Sequence, residues 1–244
     1  MAISGNKIKF REPQIEMAHG AGGIASRRLV EGLFAPLLFG AASGPLGDAA
    51  HIQLNGTHIA VTTDSFVVKP LRFPGGSIGE LAINGTVNDL AVSGARTEAI
   101  VVTYVLEAGL PTDVLEAEVR AMARAAEQAG ARIAGGDTKV VEHGKADNMY
   151  ITTTGIGRVI PGVSVRPDAV RPGDQVLLSG PIGDHGVTIL LARGELDLEA
   201  EIQSDTRSVF PLVESLVGSR IQRTPVPADS TRDSTRGKTE RVSD

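Results

Sequence analysis

The sequence contains no cysteine and no tryptophan among its 244 residues, and only 3% of them are aromatic. The lack of cysteine excludes disulfide bonds, thiolate metal ligands and a cysteine nucleophile or carrier from this chain. With so few aromatic side chains, we expect a core built from Val, Ile, Leu and Ala. No apolar run approaches the ~18 residues of a membrane span, and the first residues lack the apolar stretch of a secretory signal. We therefore expect a cytoplasmic protein.

Acidic residues outnumber basic ones, which gives the chain a formal net charge of −5. A nucleic-acid-binding protein needs a basic surface that neutralises phosphates, so this balance argues against a nucleic-acid partner. A hydrophobic fraction of 41% and a charged fraction of 22% are typical of a globular protein. The length fits one large or two small domains.

Residues 48–64 have the pattern of a β-hairpin. Two strand-like runs flank Asn55-Gly56, the pair preferred in a two-residue type I′ turn. Asp48 lies at the start of the first strand and Asp64 at the end of the second. Because these ends are neighbours in an antiparallel pair, we expect the two carboxylates to converge.

A helix is predicted to begin at Ile78 and to end at Ser93-Gly94. Gly85 and Asp89 are spaced i, i+4 and share a face of this helix, which leaves room for a ligand beside the carboxylate. An ordinary helix with an exposed polar face fits the same pattern.

The pattern beyond this helix predicts strands at residues 98–107, 132–134 and 149–160, and a helix at 112–130. Thr112 or Asp113 is expected to cap that helix. Its buried face is expected to contain Leu115, Val119, Met122 and Ala126. The sequence thus predicts an α/β or α+β domain over about residues 48–160.

We divide the chain into four segments. These are a glycine-rich leader with a first helix (1–42), an N-terminal domain (43–160), the start of an incomplete second α+β domain (161–217) and a polar tail expected to be disordered (218–244). The third segment is expected to contain a strand at 175–179 and helices at 187–193 and 206–217. So few elements cannot close a core, so we expect exposed apolar surface there.

Asp64, Asp89 and Asp137 are carboxylates bordered by small residues, and Asp48 is a candidate fourth. Carboxylates suit Mg²⁺, which takes one or two of them together with waters and substrate phosphates. Lys139 follows Asp137 closely and could pair with a phosphate. Unrelated surface carboxylates are the alternative interpretation.

The glycine-rich residues 15–23 could hold an anion through backbone N–H groups, although a flexible leader fits them equally. No P-loop motif is present. His19 and His185 lie in glycine-rich turns, where structural roles are the common alternative. His51, His58 and His143 have no sequence spacing typical of a metal site.

Several long segments, in order over about residues 13–215, resemble the HypE family of hydrogenase maturation proteins. They include MAHGAGG (17–23), TTDSFVVKPLRFPGG (62–76), IGELAINGTVNDLAVSGA (78–95), GGDTKVVEHGKAD (135–147) and SGPIGDHG (179–186). This family belongs to the superfamily of aminoimidazole ribonucleotide synthetase and selenophosphate synthetase. The resemblance implies a two-domain α/β fold in which two subunits pair their N-terminal mixed sheets into a barrel, with ATP at the dimer interface.

The resemblance also implies an activity and partners. HypE accepts a carbamoyl group from HypF on a C-terminal cysteine. It then uses ATP and Mg²⁺ to dehydrate the S-carboxamide to a thiocyanate. The cyanide passes through a HypC–HypD complex to the iron of [NiFe]-hydrogenase.

Matching positions imply the site residues. Asp64 and Asp89 correspond to Mg²⁺-phosphate carboxylates, with Asp137 as a third metal ligand. The implied nucleotide-binding residues are His19, Gly20, Gly22, Gly23, Asp48, Asp64, Asn88, Asp89, Asp137, Thr138 and Lys139, with Asn88 orienting Asp89. The resemblance gives no role to Asp184 or His185.

The chain departs from the family in lacking the C-terminal cysteine and most of the second domain. We therefore expect this polypeptide to be an inactive, truncated form of the dehydratase, produced by a frameshift or truncation after about residue 217. Two alternatives remain open. One is a non-catalytic ATP-binding dimerisation module, and the other is another ATP-dependent enzyme of the superfamily, such as a small-molecule kinase.

Overall fold

The structure is a computed structural model, which describes residues 9–40, 46–197 and 200–221. The polar tail predicted to be disordered lies almost wholly outside the described residues. The chain divides into two compact units, one of Met1–Gly47 with Arg166–Asp174, the other of Asp48–Val165 with Gln175–Asp244. No helix among the described residues is long and apolar enough to cross a membrane.

The first unit is helical. A 3₁₀ turn, Met17–Gly20, leads into α1 (Ile24–Leu29), a π-helical turn (Val30–Phe34) and α2 (Ala35–Leu38). A second 3₁₀ turn spans Pro167–Ala169. The predicted first helix is thus confirmed, with one widened turn inside it.

The second unit is built on a five-stranded mixed sheet. Its strands are β1 (Ala50–Leu54), β2 (Thr57–Phe66), β5 (Ala95–Glu107), β6 (Arg132–Val141) and β7 (Met149–Val159). Their order is β1-β2-β7-β5-β6, in which only the β5–β6 pair is parallel. A separate short hairpin pairs β3 (Arg72–Phe73) with β4 (Gly76–Ser77). The predicted mixed α/β architecture is confirmed.

The described residues of this unit form four helices: α3 (Ile78–Val92), α4 (Thr112–Gln128), α5 (Asp184–Ala192) and α6 (Phe210–Ile221). Helices α3 and α4 contact one another, and α3 lies against β2, β5 and β7. The core includes Ile78, Ile83, Ile100, Met122, Met149 and Ile151, all at most 1% exposed. As expected, aliphatic side chains dominate it, and the methionines and two phenylalanines, Phe66 and Phe73, are additions to the predicted Val, Ile, Leu and Ala.

The elements that position the candidate site form where the local pattern predicts them. Asn55 and Gly56 have φ angles of 47° and 81°, and their two-residue turn joins β1 to β2. Helix α3 begins after Ser77, whose Oγ accepts from the backbone N–H of Glu80, and it ends before Gly94, whose φ is +77°. Asparagine and glycine are the residues that most readily adopt positive φ angles. The β1–β2 turn and the end of α3 therefore follow from the sequence.

Strand β6 does not end before Gly135 as predicted but continues through Asp137 to Val141. A side chain at Gly136 would clash with the carbonyl oxygen of Val102, so this glycine permits the close approach of β5. Similarly, β2 continues past Asp64 to Phe66. Both aspartates therefore lie within strands and not after them.

Two features of α4 also differ from the prediction. The residue before the helix is Pro111, and no side chain caps the helix start, so neither Thr112 nor Asp113 has that role. Val119 is 41% exposed, whereas Glu118 is fully buried.

The strand predicted at residues 175–179 is absent from the structure of that segment. Val176, Leu177 and Leu178 are 95%, 71% and 67% exposed, which confirms the expected apolar surface. Three adjacent apolar residues have strand propensity, but a strand needs a hydrogen-bonding neighbour, and this segment has none in the described sheet.

Candidate functional site

Strand β2 and helix α3 bring Thr62, Asp64 and Asp89 together. Thr62 and Asp64 are two residues apart on β2 and therefore lie on the same face of the sheet. Thr62 is buried, and its hydroxyl donates a 3.0 Å hydrogen bond to Oδ2 of Asp89 on α3. Asp64 is exposed, and its Oδ1 accepts from the backbone N–H of Ser65 at 2.9 Å.

A third carboxylate, Asp48, acts on the same group. Burial raises the pKa of Asp89 to about 6, the negative charges of Asp64 and Asp48 add to this effect, and the hydrogen bond from Thr62 opposes it. Since β1 pairs Ala50 with Val61, the residues before β1 lie beside the part of β2 that contains Asp64. The predicted convergence of Asp48 and Asp64 is consistent with this arrangement.

This cluster has the chemistry of a cation site that is completed by a ligand. Among residues 9–40, 46–197 and 200–221, no three His, Cys, Asp or Glu side chains form a group that could hold a metal ion. Mg²⁺, however, commonly takes only one or two carboxylates and fills its other positions with waters and phosphates. A half-buried carboxylate with a raised pKa and two negative neighbours gains stability when a cation arrives. Asp64 and Asp89 therefore fit the predicted Mg²⁺ site.

Asp137 and Lys139 are on the other face of the sheet. The register aligns Asp64 with Thr153, Thr153 with Val102, and Val102 with Gly136. Asp137 is the next residue of β6 and therefore points to the opposite side. Within one chain the structure does not bring Asp137 to Asp64 and Asp89.

Asp137 and Lys139 instead pair with each other. The Nζ atom of Lys139 lies 2.8 Å from Oδ2 of Asp137. This contact and the backbone N–H of Thr138 lower the pKa of Asp137. Asp137, Thr138 and Lys139 are all exposed, so they remain accessible to a ligand. Their roles in metal and phosphate binding stay predictions.

Asn88 does not contact Asp89 through its side chain. Its Nδ2 donates to the carbonyl oxygen of Arg207 at 2.9 Å, and its Oδ1 accepts from the backbone N–H of Val209 at 2.8 Å. Thr62 is the residue that orients Asp89, and the sequence interpretation missed it. The spacing of Thr62 and Asp64 could have indicated this role, since residues two positions apart on a strand lie on the same face.

His19 belongs to the first unit and is buried. Its Nδ1 accepts from the backbone N–H of Glu16 at 2.9 Å, so Nε2 carries the proton and donates to Glu12. Phe10 packs its ring edge-to-face on the imidazole, 5.3 Å between ring centres. These contacts support the structural alternative for His19. Gly20, Gly22 and Gly23 follow it with open space where side chains would stand.

Asp184 is the first residue of α5, and His185 follows it in the second unit. Nδ1 of His185 lies 3.0 Å from Oγ of Ser204, and its ring lies edge-to-face with Phe73. Burial lowers the pKa of His185, against the opposing effect of Asp205. These contacts give His185 a structural role in holding residue 204 beside the β3–β4 hairpin.

Comparisons with known proteins agree with this architecture. The family model of the AIR synthase related protein, N-terminal domain, matches residues 46–159. A carbamoyl dehydratase HypE from Azotobacter vinelandii is 45% identical over 214 residues, which are 88% of this chain and 63% of that protein. A relative from Methanocaldococcus jannaschii, named for hydrogenase expression and formation, is 36% identical over 230 residues, 92% of this chain and 67% of its own length. The chain belongs to the HypE family.

Two solved structures show the same fold within the HypE family. A crystal structure of a HypE–HypF complex matches with a TM-score of 0.71 and 44% identity, covering 78% of this chain and 62% of that one. A crystal structure of HypE in complex with ATP matches with a TM-score of 0.63 and 45% identity, covering 84% and 61%. The chain thus spans a little under two thirds of the length of the Azotobacter vinelandii protein and of the matched chains in these two structures.

Proposed function

We propose that these residues form the ATP- and Mg²⁺-binding part of a HypE-type carbamoyl dehydratase. The whole reaction would dehydrate a protein-bound S-carboxamide to a thiocyanate, as a source of cyanide ligands for [NiFe]-hydrogenase. The observation that carries the proposal is the carboxylate cluster of Asp48, Asp64 and Asp89. It is supported by the similarity to a HypE crystallised with ATP.

Each residue of the cluster has a distinct task in this proposal. Asp64 is exposed and free to bind a cation at the surface, whereas Asp89 is half-buried and held in place by Thr62. Asp48 adds negative charge that acts on Asp89. When bound, Mg²⁺ would neutralise the triphosphate and favour phosphoryl transfer to the carboxamide oxygen. The 244 residues contain no cysteine, so the proposal assigns to them nucleotide binding and not the thiol that carries the carboxamide.

A homodimer would account for the orientation of Asp137 and Lys139, which face away from Asp64. The sheet face opposite the helices contains polar pairs such as Ser65 with Thr152, whose hydroxyl oxygens are 2.9 Å apart. It also exposes Val101 and Ile156, by 37% and 38%. We propose that a second copy covers this face, so that Asp137 and Lys139 lie between the subunits. A nucleotide held at the edge of the sheet by Asp64 and Asp89 of one subunit would then be reached by Asp137 and Lys139 of the other. The proposed partners are HypF, on the similarity to the HypE–HypF complex, and HypC–HypD, and the proposed location is the cytoplasm.

The proposal is tested by calorimetric titration of Mg-ATP into the chain and into its Asp64→Asn and Asp89→Asn variants. Saturable binding is expected in the parent, and each variant should weaken it by at least about tenfold, since each removes a charged contact to the cation. Asp113→Asn is the matched control, because Asp113 is an exposed aspartate at the start of α4. A folded parent that binds no Mg-ATP, or variants that bind as well as the parent, would contradict the proposal.

A further inference from the structure

The β1–β2 hairpin brings together two histidines that are seven residues apart in the sequence. The register places His51 opposite Ala60 and His58 opposite Gln53, so the two histidines are diagonal neighbours on one face of the pair. Both side chains are exposed, and their ring centres lie 5.1 Å apart with the ring planes inclined by 57°.

This separation suits two imidazoles on one metal ion. Zinc–nitrogen bonds are about 2.0–2.1 Å long, and tetrahedral coordination then puts the centres of two imidazole rings about 5 Å apart. Ring packing alone allows centre separations of about 4.5–7 Å, and this pair lies in the part of that range that two ligands of one ion require. The tight Asn55-Gly56 turn and the β1–β2 ladder hold the backbone under both residues, and β2 is paired with β7 from Ile59 onward, so the site is largely formed before a metal arrives.

We propose that His51 and His58 together bind one divalent transition metal ion of the zinc, nickel and copper class, with water in the remaining positions. Imidazole nitrogen is a preferred ligand of these ions and a poor one for Mg²⁺. An ion bound there would cross-link the edge strand β1 to β2. No third His, Cys, Asp or Glu joins the pair among the described residues, so the site keeps open positions for a further ligand.

The histidine pair differs from the carboxylate cluster in position and in ligand type. Asp64 lies six residues beyond His58 on β2, which corresponds to about 20 Å along an extended strand. Asp48, the member of the cluster nearest in sequence, lies three residues before His51 and outside β1. The two sites also differ in chemistry, since the cluster offers only oxygen ligands. The inference is therefore independent of the proposed nucleotide function, and each can fail without the other.

The experiment is a titration of Zn²⁺ alone into the chain without a polyhistidine tag, with excess Mg²⁺ present to occupy the oxygen ligands. Imidazole resonances are followed by NMR at about pH 7.5, where an ordinary histidine is mostly neutral. His51 and His58 are expected to shift together and saturate at one ion per chain. His51→Gln and His58→Gln should each weaken binding at least about tenfold, because the second ligand then no longer acts at high effective concentration.

His143→Gln is the matched control, because His143 is an exposed histidine in the loop after β6, and it should bind Zn²⁺ like the parent. Backbone spectra of the variants establish that each is folded. The proposal is overturned if His51 and His58 do not shift up to about 1 mM Zn²⁺. It is equally overturned if the His51→Gln, His58→Gln double variant binds with the parent's affinity, or if the His143→Gln variant loses binding as the single variants do.

Discussion

The hydroxyl of Thr62 on β2 donates a hydrogen bond to the carboxylate of Asp89 on α3, although the two residues are 27 positions apart in the chain. The bond joins the sheet to the helix at the candidate nucleotide site. It also favours the charged form of Asp89, against burial and two negative neighbours that raise the pKa to about 6.

Replacing Thr62 by valine tests this relationship, because valine keeps the shape and removes the donor. The pKa of Asp89 should rise above that of the parent, and Mg-ATP binding should weaken about tenfold, as expected for one lost hydrogen bond to a charged group. The measurements are a carboxyl-detected NMR titration and calorimetry. Thr62→Ser is the control, since it retains the hydroxyl. A valine variant that matches the parent in both measurements would remove Thr62 from the site.

Asp89 also makes stability depend on pH. Its folded pKa of about 6 exceeds the ordinary aspartate value of 3.8, so the folded protein binds more protons than the unfolded chain between these values. The contribution of Asp89 to stability is therefore fully present below the lower value and is lost as the pH rises through about 6. The measurement is urea unfolding of the parent and of Asp89→Asn without divalent cations. The free energy of unfolding of the variant, relative to that of the parent, should be higher above about pH 6 than below about pH 4. A constant difference between the two proteins across that range would contradict the raised pKa.

Short-range patterns predicted the parts of the fold that contain the site. The Asn55-Gly56 hairpin and the helix from Ile78 follow from turn preferences and apolar spacing within a few residues. Both Asp64 and Asp89 lie on these elements. This part of the site could therefore be predicted from local sequence patterns alone.

The position of Asp137, the length of β6 and the burial of Glu118 depend on contacts between residues that are distant in the sequence. Whether Asp137 faces Asp64 is set by the register of four strands, and a shift of one residue would reverse it. The extension of β6 through Gly135-Gly136 depends on pairing with β5, which outweighs the weak strand preference of glycine. Likewise, the partners of Glu118 are Gly79 and Arg72, at least 39 residues away, so helical periodicity alone placed Val119 and not Glu118 on the buried face of α4.

Glu118 is predicted to stabilise the start of α3. Its side chain is fully buried, Oε2 accepts from the backbone N–H of Gly79 at 3.1 Å, and Oε1 lies 2.8 Å from Nε of Arg72. This Oε1 contact is an ion pair outside hydrogen-bond geometry, and a carboxylate at a helix N-terminus is also favoured by the helix dipole. Glu118→Ala should lower the free energy of unfolding by about 2 kcal/mol, because the Gly79 N–H is left unpaired.

Urea unfolding of two further variants separates charge from hydrogen bonding at Glu118. Glu118→Gln keeps an acceptor for Gly79 and should lose about 1 kcal/mol. Glu116→Gln is the control on the same helix, since the Glu116–Arg120 pair is exposed and should contribute less than about 1 kcal/mol. Equal effects at positions 116 and 118 would show that the buried contact adds nothing.

Substitution of Asn88 tests whether this residue contacts the nucleotide or holds the residues before α6. Its amide donates to Arg207 and accepts from Val209, so both of its polar atoms are used in holding the residues before α6. Asn88→Ala should therefore lower the free energy of unfolding by about 1–2 kcal/mol and speed hydrogen exchange at the Val209 amide. Mg-ATP affinity should stay at the parent value. Asn88→Asp keeps the acceptor for Val209 but places a charged oxygen against the Arg207 carbonyl, so it is compared with Asn88→Ala only in hydrogen exchange at Val209 and not in Mg-ATP binding. Weaker Mg-ATP binding with an unchanged exchange rate at Val209 would instead favour the nucleotide-binding role that the family resemblance implies.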